Sequence, residues 1–219
     1  MPSEAQPSAP ASRDESPAPY ADLALLLLCS RLALLIVGIL SASLTASGLT
    51  AQKGNLVYHD PVARPLEIWA RWDSEWYLLI AAEGYAGTEV RRHFEGLPVK
   101  YEPEAPAGFL PLYPLLIRIL SPALGGVGAG ILISNLCLWL VLVLLYRLAC
   151  SCAGGGAGGR SAGLAACAAL LVHPMSLFLS AVYAESLFLM LALAMFHLAR
   201  QGRFAAAAGA GALAAITRP

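Results

Sequence analysis

Charge is what this chain has least of. Of its 219 residues 13% are charged, while 58% are hydrophobic. Ordinary soluble domains carry about 25% charged residues, so too few are present to cover a water-soluble surface of this size. Acid is scarcest of all in the second half: 13 of the 14 Asp and Glu residues lie at or before Glu104, and Glu185 is the only one after it. The net charge is zero, which gives no basic footprint for nucleic acid. Five cysteines are present, Cys29, Cys137, Cys150, Cys152 and Cys167, and none falls in the long polar stretch. That placement excludes a disulfide framework, and Cys150 and Cys152 have no further ligands nearby for a metal. The sequence also lacks a Gly-Lys-Ser/Thr phosphate loop, a strand-led Gly-x-Gly-x-x-Gly, an Asp-x-Asp pair and His-Glu-x-x-His. Soluble nucleotide chemistry and metallohydrolase chemistry are therefore unsupported, and neither a cofactor nor a metal is expected.

What is present is a series of apolar runs. Residues 1–22, rich in Pro, Ser and Ala with mixed charge, read as a disordered cytoplasmic tail. From about Leu23 to Leu49 runs a segment long enough to cross a bilayer and with no cleavage site, an uncleaved first transmembrane helix. Arg31 interrupts it one to two turns in and is expected to snorkel to the cytoplasmic interface. Further apolar segments lie at about Phe109–Leu124, Val127–Ala149, Ser161–Ser180, Ser186–Ala199 and from Phe204 onward. The positive-inside rule puts Arg147, Arg160, Arg200 and Arg203 in the cytoplasm, and the connection near Tyr183 outside. With the N-terminus inside as well, parity leaves no crossing for Phe109–Leu124. Pro111, Pro114 and Pro122 within it also oppose a straight span. It reads as a re-entrant or interface-lying helix, the alternative being a true crossing with the N-terminus outside. The expected architecture is all-α, a polytopic transmembrane bundle over residues 23–219, with residues 50–126 forming a long first outer loop.

That loop carries the chemistry. Residues 50–108 hold nine Asp/Glu and six Lys/Arg. Within them, Leu66 to Gly84 reads as a second interfacial helix, with Trp69, Trp72, Trp76, Leu79, Ile80 and Glu83 near helical spacing and Arg71 paired to Glu75 at i,i+4. Tryptophan gathers where apolar and wet zones meet. Asp73, among Trp72, Trp76 and Tyr77, would be partly desolvated and suited to general-base work; a plain solvated face or an ion pair with Arg71 or Arg64 is the other reading. Glu185, at the mouth of an apolar helix, calls for a partner or a function, or acts on the helix dipole. Arg218 lies 15 residues beyond Arg203, about 22 Å at helical rise, near the level of Glu185. Its guanidinium suits a lipid phosphate, or an ion pair with Glu185.

Four ordered blocks across residues 69–219 resemble the PIG-V-type mannosyltransferases. They are Trp72-Asp73-Ser74-Glu75-Trp76-Tyr77 with Ile80, Ala81, Gly84 and Tyr85; Phe109-Leu110-Pro111-Leu112-Tyr113-Pro114-Leu115; Phe178 through Phe188; and Ala215-Ile216-Thr217-Arg218-Pro219. The resemblance implies a GT-C architecture and transfer of a mannosyl residue from a polyprenyl (dolichyl) phosphate carrier on the non-cytoplasmic face. The acceptor would be a glycolipid or glycan, as in GPI-anchor synthesis. It implies Asp73 as the catalytic base, with Trp72, Glu75, Tyr113, Tyr183, Glu185 and Arg218 around the substrates. A lipid-phosphate carrier would account for the missing nucleotide motifs. The partners implied are that donor, the acceptor and membrane lipids. The Ala/Gly/Leu-rich spans fit a bacterial plasma membrane; a eukaryotic version would sit in the ER. Two positions depart from the family pattern: Arg71 stands where many relatives carry His, and His173 where Asn often precedes the proline. Relatives run to roughly twice this length, so the chain reads as the N-terminal half of such an enzyme, and a fragment of this kind could be inactive. The competing expectation is a non-catalytic membrane protein, a transporter segment or scaffold.

Overall fold

The computed structural model describes residues 19–45, 69–85 and 108–218. Among them the chain is all helical, with no strand. Helix α1 is Tyr20–Thr45, α2 is Ser74–Glu83, α3 is Leu112–Cys152, α4 is Gly156–Val172, α5 is Glu185–Arg200 and α6 is Phe204–Ala215. A 3-10 turn, Pro174–Leu179, lies between α4 and α5. Two helices, α1 and α3, are long and apolar enough to cross a membrane. Along α1, Leu25, Leu28, Leu32, Ile36 and Leu40 are all exposed, an apolar outer side that suits contact with lipid.

The 41 residues of α3 do not form one rod. Gly125, at φ 70° and ψ 164°, interrupts it in a conformation that L side chains rarely adopt. Along a straight helix Tyr113 and Gly130 would stand about 25 Å apart. Yet the Tyr113 hydroxyl is 3.0 Å from the Gly130 carbonyl and 2.8 Å from Ser134 Oγ. The arm 112–124 therefore folds back on the start of the arm 126–152. The expectation that residues 109–124 make no straight span of their own agrees with this geometry.

The described helices run back and forth between two ends. At one end Arg147 Nη2 donates to Tyr20 Oη at 3.2 Å, and Arg160 pairs with Asp22 at 2.8 Å. Arg200 reaches Cys152 Sγ there at 3.4 Å. The start of α1, the α3–α4 turn and the α5–α6 turn thus share one basic end, as the positive-inside grouping of these arginines requires. At the opposite end Ser134 Oγ donates to the Tyr183 carbonyl at 3.2 Å, and Arg218 meets Glu185.

Three expectations need correction. The apolar run 161–180 is not one helix: α4 stops at Val172 because Pro174 cannot continue it, and the chain turns into the 3-10 segment. The helix expected from Leu66 begins only at Ser74, and residues 66–68 lie outside the described residues. Its start is displaced by Trp72, whose φ of 54° no α-helix accommodates. Arg71 therefore precedes the helix and cannot form an i,i+4 pair on its surface. Arg31 does not snorkel to the basic end; its donors go to Ser176 and Ser180 near the opposite end.

Packing around the site rests on close approach. Helix α2 buries Tyr77, Leu78 and Ala81 against Tyr113 and Ile117 of α3, while Val127, Ala129 and Ile133 meet Val182, Ala184 and Leu187. At Gly130 an added Cβ would lie 2.6 Å from Val182 Cγ1, so only glycine lets the 181–184 segment lie this close. Gly130→Ala should lower stability by about 1–3 kcal/mol, seen as a lower midpoint of thermal unfolding in detergent. Gly158→Ala, whose methyl meets nothing, should leave that midpoint unchanged or raise it.

Candidate functional site

At the end opposite the arginines a pocket of about 420 Å³ is lined by Trp72, Asp73, Met175, Phe178, Tyr183 and Glu185. Two stretches far apart in sequence supply it: the turn before α2, and residues 175–185, which run from the 3-10 turn after α4 to the start of α5. Each is positioned by local chemistry. Trp72 sits in the left-handed region, a conformation costing a bulky residue about 1–3 kcal/mol, which the surroundings must enforce. Tyr183 enforces it. Its hydroxyl donates to the Arg71 carbonyl at 3.0 Å and accepts from the Asp73 amide at 3.2 Å. The amide of Val182 adds a 2.8 Å bond to the Trp69 carbonyl. The turn holding Asp73 is thus fastened, on both sides of Trp72, to residues 182–183.

Beneath the pocket is an aromatic cluster. Phe178 meets Tyr183 edge-on at 4.8 Å and Trp72 at 6.0 Å. Tyr77 packs edge-on against Phe109 and Tyr113, each at 5.1 Å, and Trp76 stacks on Phe109 at 5.7 Å. Such pairs fix ring orientation beyond what burial alone provides. Burial, reinforced by the Asp73 charge, raises the Tyr183 phenol to about 12, so it remains a neutral donor. Burial raises Tyr77 as well, and Glu185, Arg218 and Asp73 all act on it. The three charges therefore share one neighbourhood.

The ion pair between Arg218 Nη1 and Glu185 Oε1 measures 3.0 Å, which meets the expectation that these two residues lie at one level. The second oxygen, Glu185 Oε2, is buried with no hydrogen-bond partner, as are Ser74 Oγ and Glu75 Oε1. Unsatisfied buried oxygens are uncommon in folded proteins. Of the two readings of Asp73 the structure matches the solvated face: it is exposed at the pocket wall, because the turn precedes α2 and lifts its side chain out of the aromatic layer. The desolvated carboxylate of this segment is Glu75, raised by burial against the opposing charge of Arg71.

Of the residues singled out from sequence, Trp72, Asp73, Tyr183 and Glu185 meet in the pocket, and Arg218 joins them through Glu185. Two do not line it. Glu75 is half-buried outside the pocket lining, and Tyr113 is fully buried, its hydroxyl committed to Gly130 and Ser134. Tyr183 contributes chiefly by holding the turn. Met175 and Phe178 were not foreseen as pocket walls. Pro174 was the available signal, since a helix stopped there must turn its next residues across the bundle end.

A family model described as Mannosyltransferase (PIG-V) matches residues 24–217. No curated protein and no solved structure matches the chain.

Two measurements check the geometry. Tyr183→Phe removes the atom that serves both Arg71 and Asp73, and should cost about 0.5–1.5 kcal/mol of stability, measured as a lower unfolding midpoint. Glu75 has a raised folded-state pKa, so its protonated form favours the fold and this contribution fades as pH rises from the ordinary 4.5 through the raised value. Glu75→Gln should therefore stabilise relative to wild type at about pH 8 but not at about pH 4. Equal differences at both values would mean that Glu75 is solvated.

Proposed function

Because the chain belongs to the PIG-V mannosyltransferase family, we propose that its pocket transfers a mannosyl residue from a polyprenyl-phosphate carrier to a hydroxyl of a glycolipid or glycan. The observation that carries this reading is the meeting of Asp73, Glu185 and Arg218 around an aromatic-walled pocket at the end away from the basic turns. A sugar presents C–H faces that pack on rings such as Trp72 and Phe178, and hydroxyls that bond to carboxylates. A lipid phosphate needs a cation, and Arg218 supplies a planar guanidinium with several donors.

In the reaction the acceptor oxygen bonds to the anomeric carbon as the bond from that carbon to the phosphate oxygen breaks. The acceptor proton passes to Asp73, whose exposed carboxylate an incoming hydroxyl can reach. The electron pair of the broken bond leaves on the polyprenyl phosphate, where Arg218 offsets the charge. Inversion at the anomeric carbon follows from a single displacement. Glu185, at the pocket wall with one oxygen on Arg218, orients the guanidinium toward the donor phosphate. Trp72 walls the sugar, and Glu75, Tyr113 and Tyr183 shape the site from behind. The active face would be the non-cytoplasmic one, in a bacterial plasma membrane or the ER.

The test uses membranes containing the full chain, with polyprenyl-phosphate mannose labelled in the sugar. Asp73→Asn should insert normally yet lose at least about a hundredfold in transfer rate, the scale of general-base catalysis. Transfer at the wild-type rate would remove Asp73 from its role. Absence of transfer by the unaltered chain with this donor would count against the reading as a whole.

A further inference from the structure

Arg31 stands in the middle of a strongly apolar helix, whose best 18-residue window within Tyr20–Leu40 has a mean hydropathy of 2.7. Arginine keeps its charge throughout the pH range of proteins, so a half-buried guanidinium there must be satisfied by partners. The nearest acid on α1, Asp22, is taken by Arg160 at the basic end. Arg31 turns the other way. Its Nη1 donates to the Ser176 carbonyl at 2.8 Å and to Ser180 Oγ at 3.0 Å, its Nη2 reaches Ser176 Oγ at 3.4 Å, and its Nε donates to Ser30 Oγ at 3.2 Å.

These acceptors are connected further. Ser176 Oγ donates to the Leu171 carbonyl at 2.8 Å, and Ser180 Oγ to Asn135 Oδ1 at 2.9 Å. Asn135 Nδ2 donates to the carbonyls of Ile131 at 2.8 Å and Ser180 at 3.3 Å. One guanidinium thus grips the 3-10 turn near its beginning and just past its end, and the grip extends to α3. Met175, next to Ser176, and Phe178, between the two gripped serines, are pocket walls. Residues 182–183, a short step beyond Ser180, fasten the turn that carries Asp73.

We propose that Arg31 is a positioning residue of the transfer site: it holds the 3-10 turn against α1, so that Met175 and Phe178 enter the pocket at a fixed height and α1 forms the back of the site. Arg31 touches neither substrate; it acts through Ser176 and Ser180. This rests on the transferase reading only for its kinetic consequence, since the placement of the turn can be read without activity.

The experiment uses the full chain in membranes. Arg31→Gln should raise the KM for polyprenyl-phosphate mannose about tenfold, since small misplacements of a binding wall are costly, while kcat falls less. Arg31→Lys, which keeps the charge but loses the planar fork, should fall between it and wild type. Ser180→Ala should shift KM in the same direction, and the double variant with Arg31→Gln should be no worse than Arg31→Gln alone, as expected for one shared contact. Independently of transfer, Met175→Cys in a background without the native cysteines reports the turn by its rate of maleimide labelling. That rate should change severalfold on adding Arg31→Gln and recover in part with Arg31→Lys. An inserted Arg31→Gln chain with unchanged labelling and unchanged KM overturns the proposal. So does a loss confined to yield or kcat with both readouts at wild-type values, which is what general destabilisation would give. If the unaltered chain transfers nothing, the transferase reading fails and labelling alone decides whether Arg31 places the turn.

Discussion

The hydroxyl of Tyr183, shared between the carbonyl of Arg71 and the amide of Asp73, is the contact on which the pocket depends. Helix α2 has ten residues, too few to be stable by itself in water. It is held in place by burial of Tyr77 and Ala81 on α3, and the turn ahead of it by the bonds to residues 182 and 183. Releasing those bonds would let Trp72 leave its left-handed conformation, and Asp73 would swing away from Glu185. A strained residue persists only where its surroundings over-determine it, and here the two bonds of the Tyr183 hydroxyl and one backbone bond from Val182 do so.

The same end of the molecule shows how irregular backbone survives inside an apolar bundle. Non-helical segments at membrane depth need their polar groups satisfied by protein or by a water-lined cavity. Residues 173–184 have both. Arg31, Asn135 and Ser134 donate to the carbonyls of Ser176, Ser180 and Tyr183 on one side, and the pocket opens on the other. The glycine at 130 completes this arrangement, because its missing side chain leaves room for Val182 while its carbonyl accepts from Tyr113. Polar residues among the helices are therefore concentrated around one turn rather than scattered.

Charge is divided between the ends. The exposed arginines near the α3–α4 and α5–α6 turns gather at one, where Asp22 of α1 pairs with Arg160. The other end keeps carboxylates that are incompletely satisfied, Glu75 and Glu185 each with a buried oxygen lacking a partner. Glu185 is nonetheless anchored through its first oxygen to Arg218, 33 residues away. Its carboxylate thus has one oxygen held by Arg218 and the other buried without a partner.

Composition and order were enough to establish an all-helical, membrane-type chain, the grouping of Arg147, Arg160 and Arg200, and the shared level of Glu185 and Arg218; the prolines up to Pro122 stay helical, and the break falls at Gly125 instead. The established features follow from local rules: hydropathy, helical rise, and the cost of unpaired charge. Sequence could not decide that Asp73 stands exposed on a strained turn, that Tyr113 lies buried behind the site, or that Arg31 faces Ser176 instead of the basic end. Periodicity made one helix of Leu66 to Gly84, because the spacing of Trp69, Trp72 and Trp76 carries no record of a left-handed residue in their midst. Each of those outcomes depends on a partner more than 15 residues away, whether Gly130 for Tyr113, Ser176 for Arg31 or Tyr183 for the Asp73 turn. A hydrogen bond across that distance exists only once the helices have been brought together.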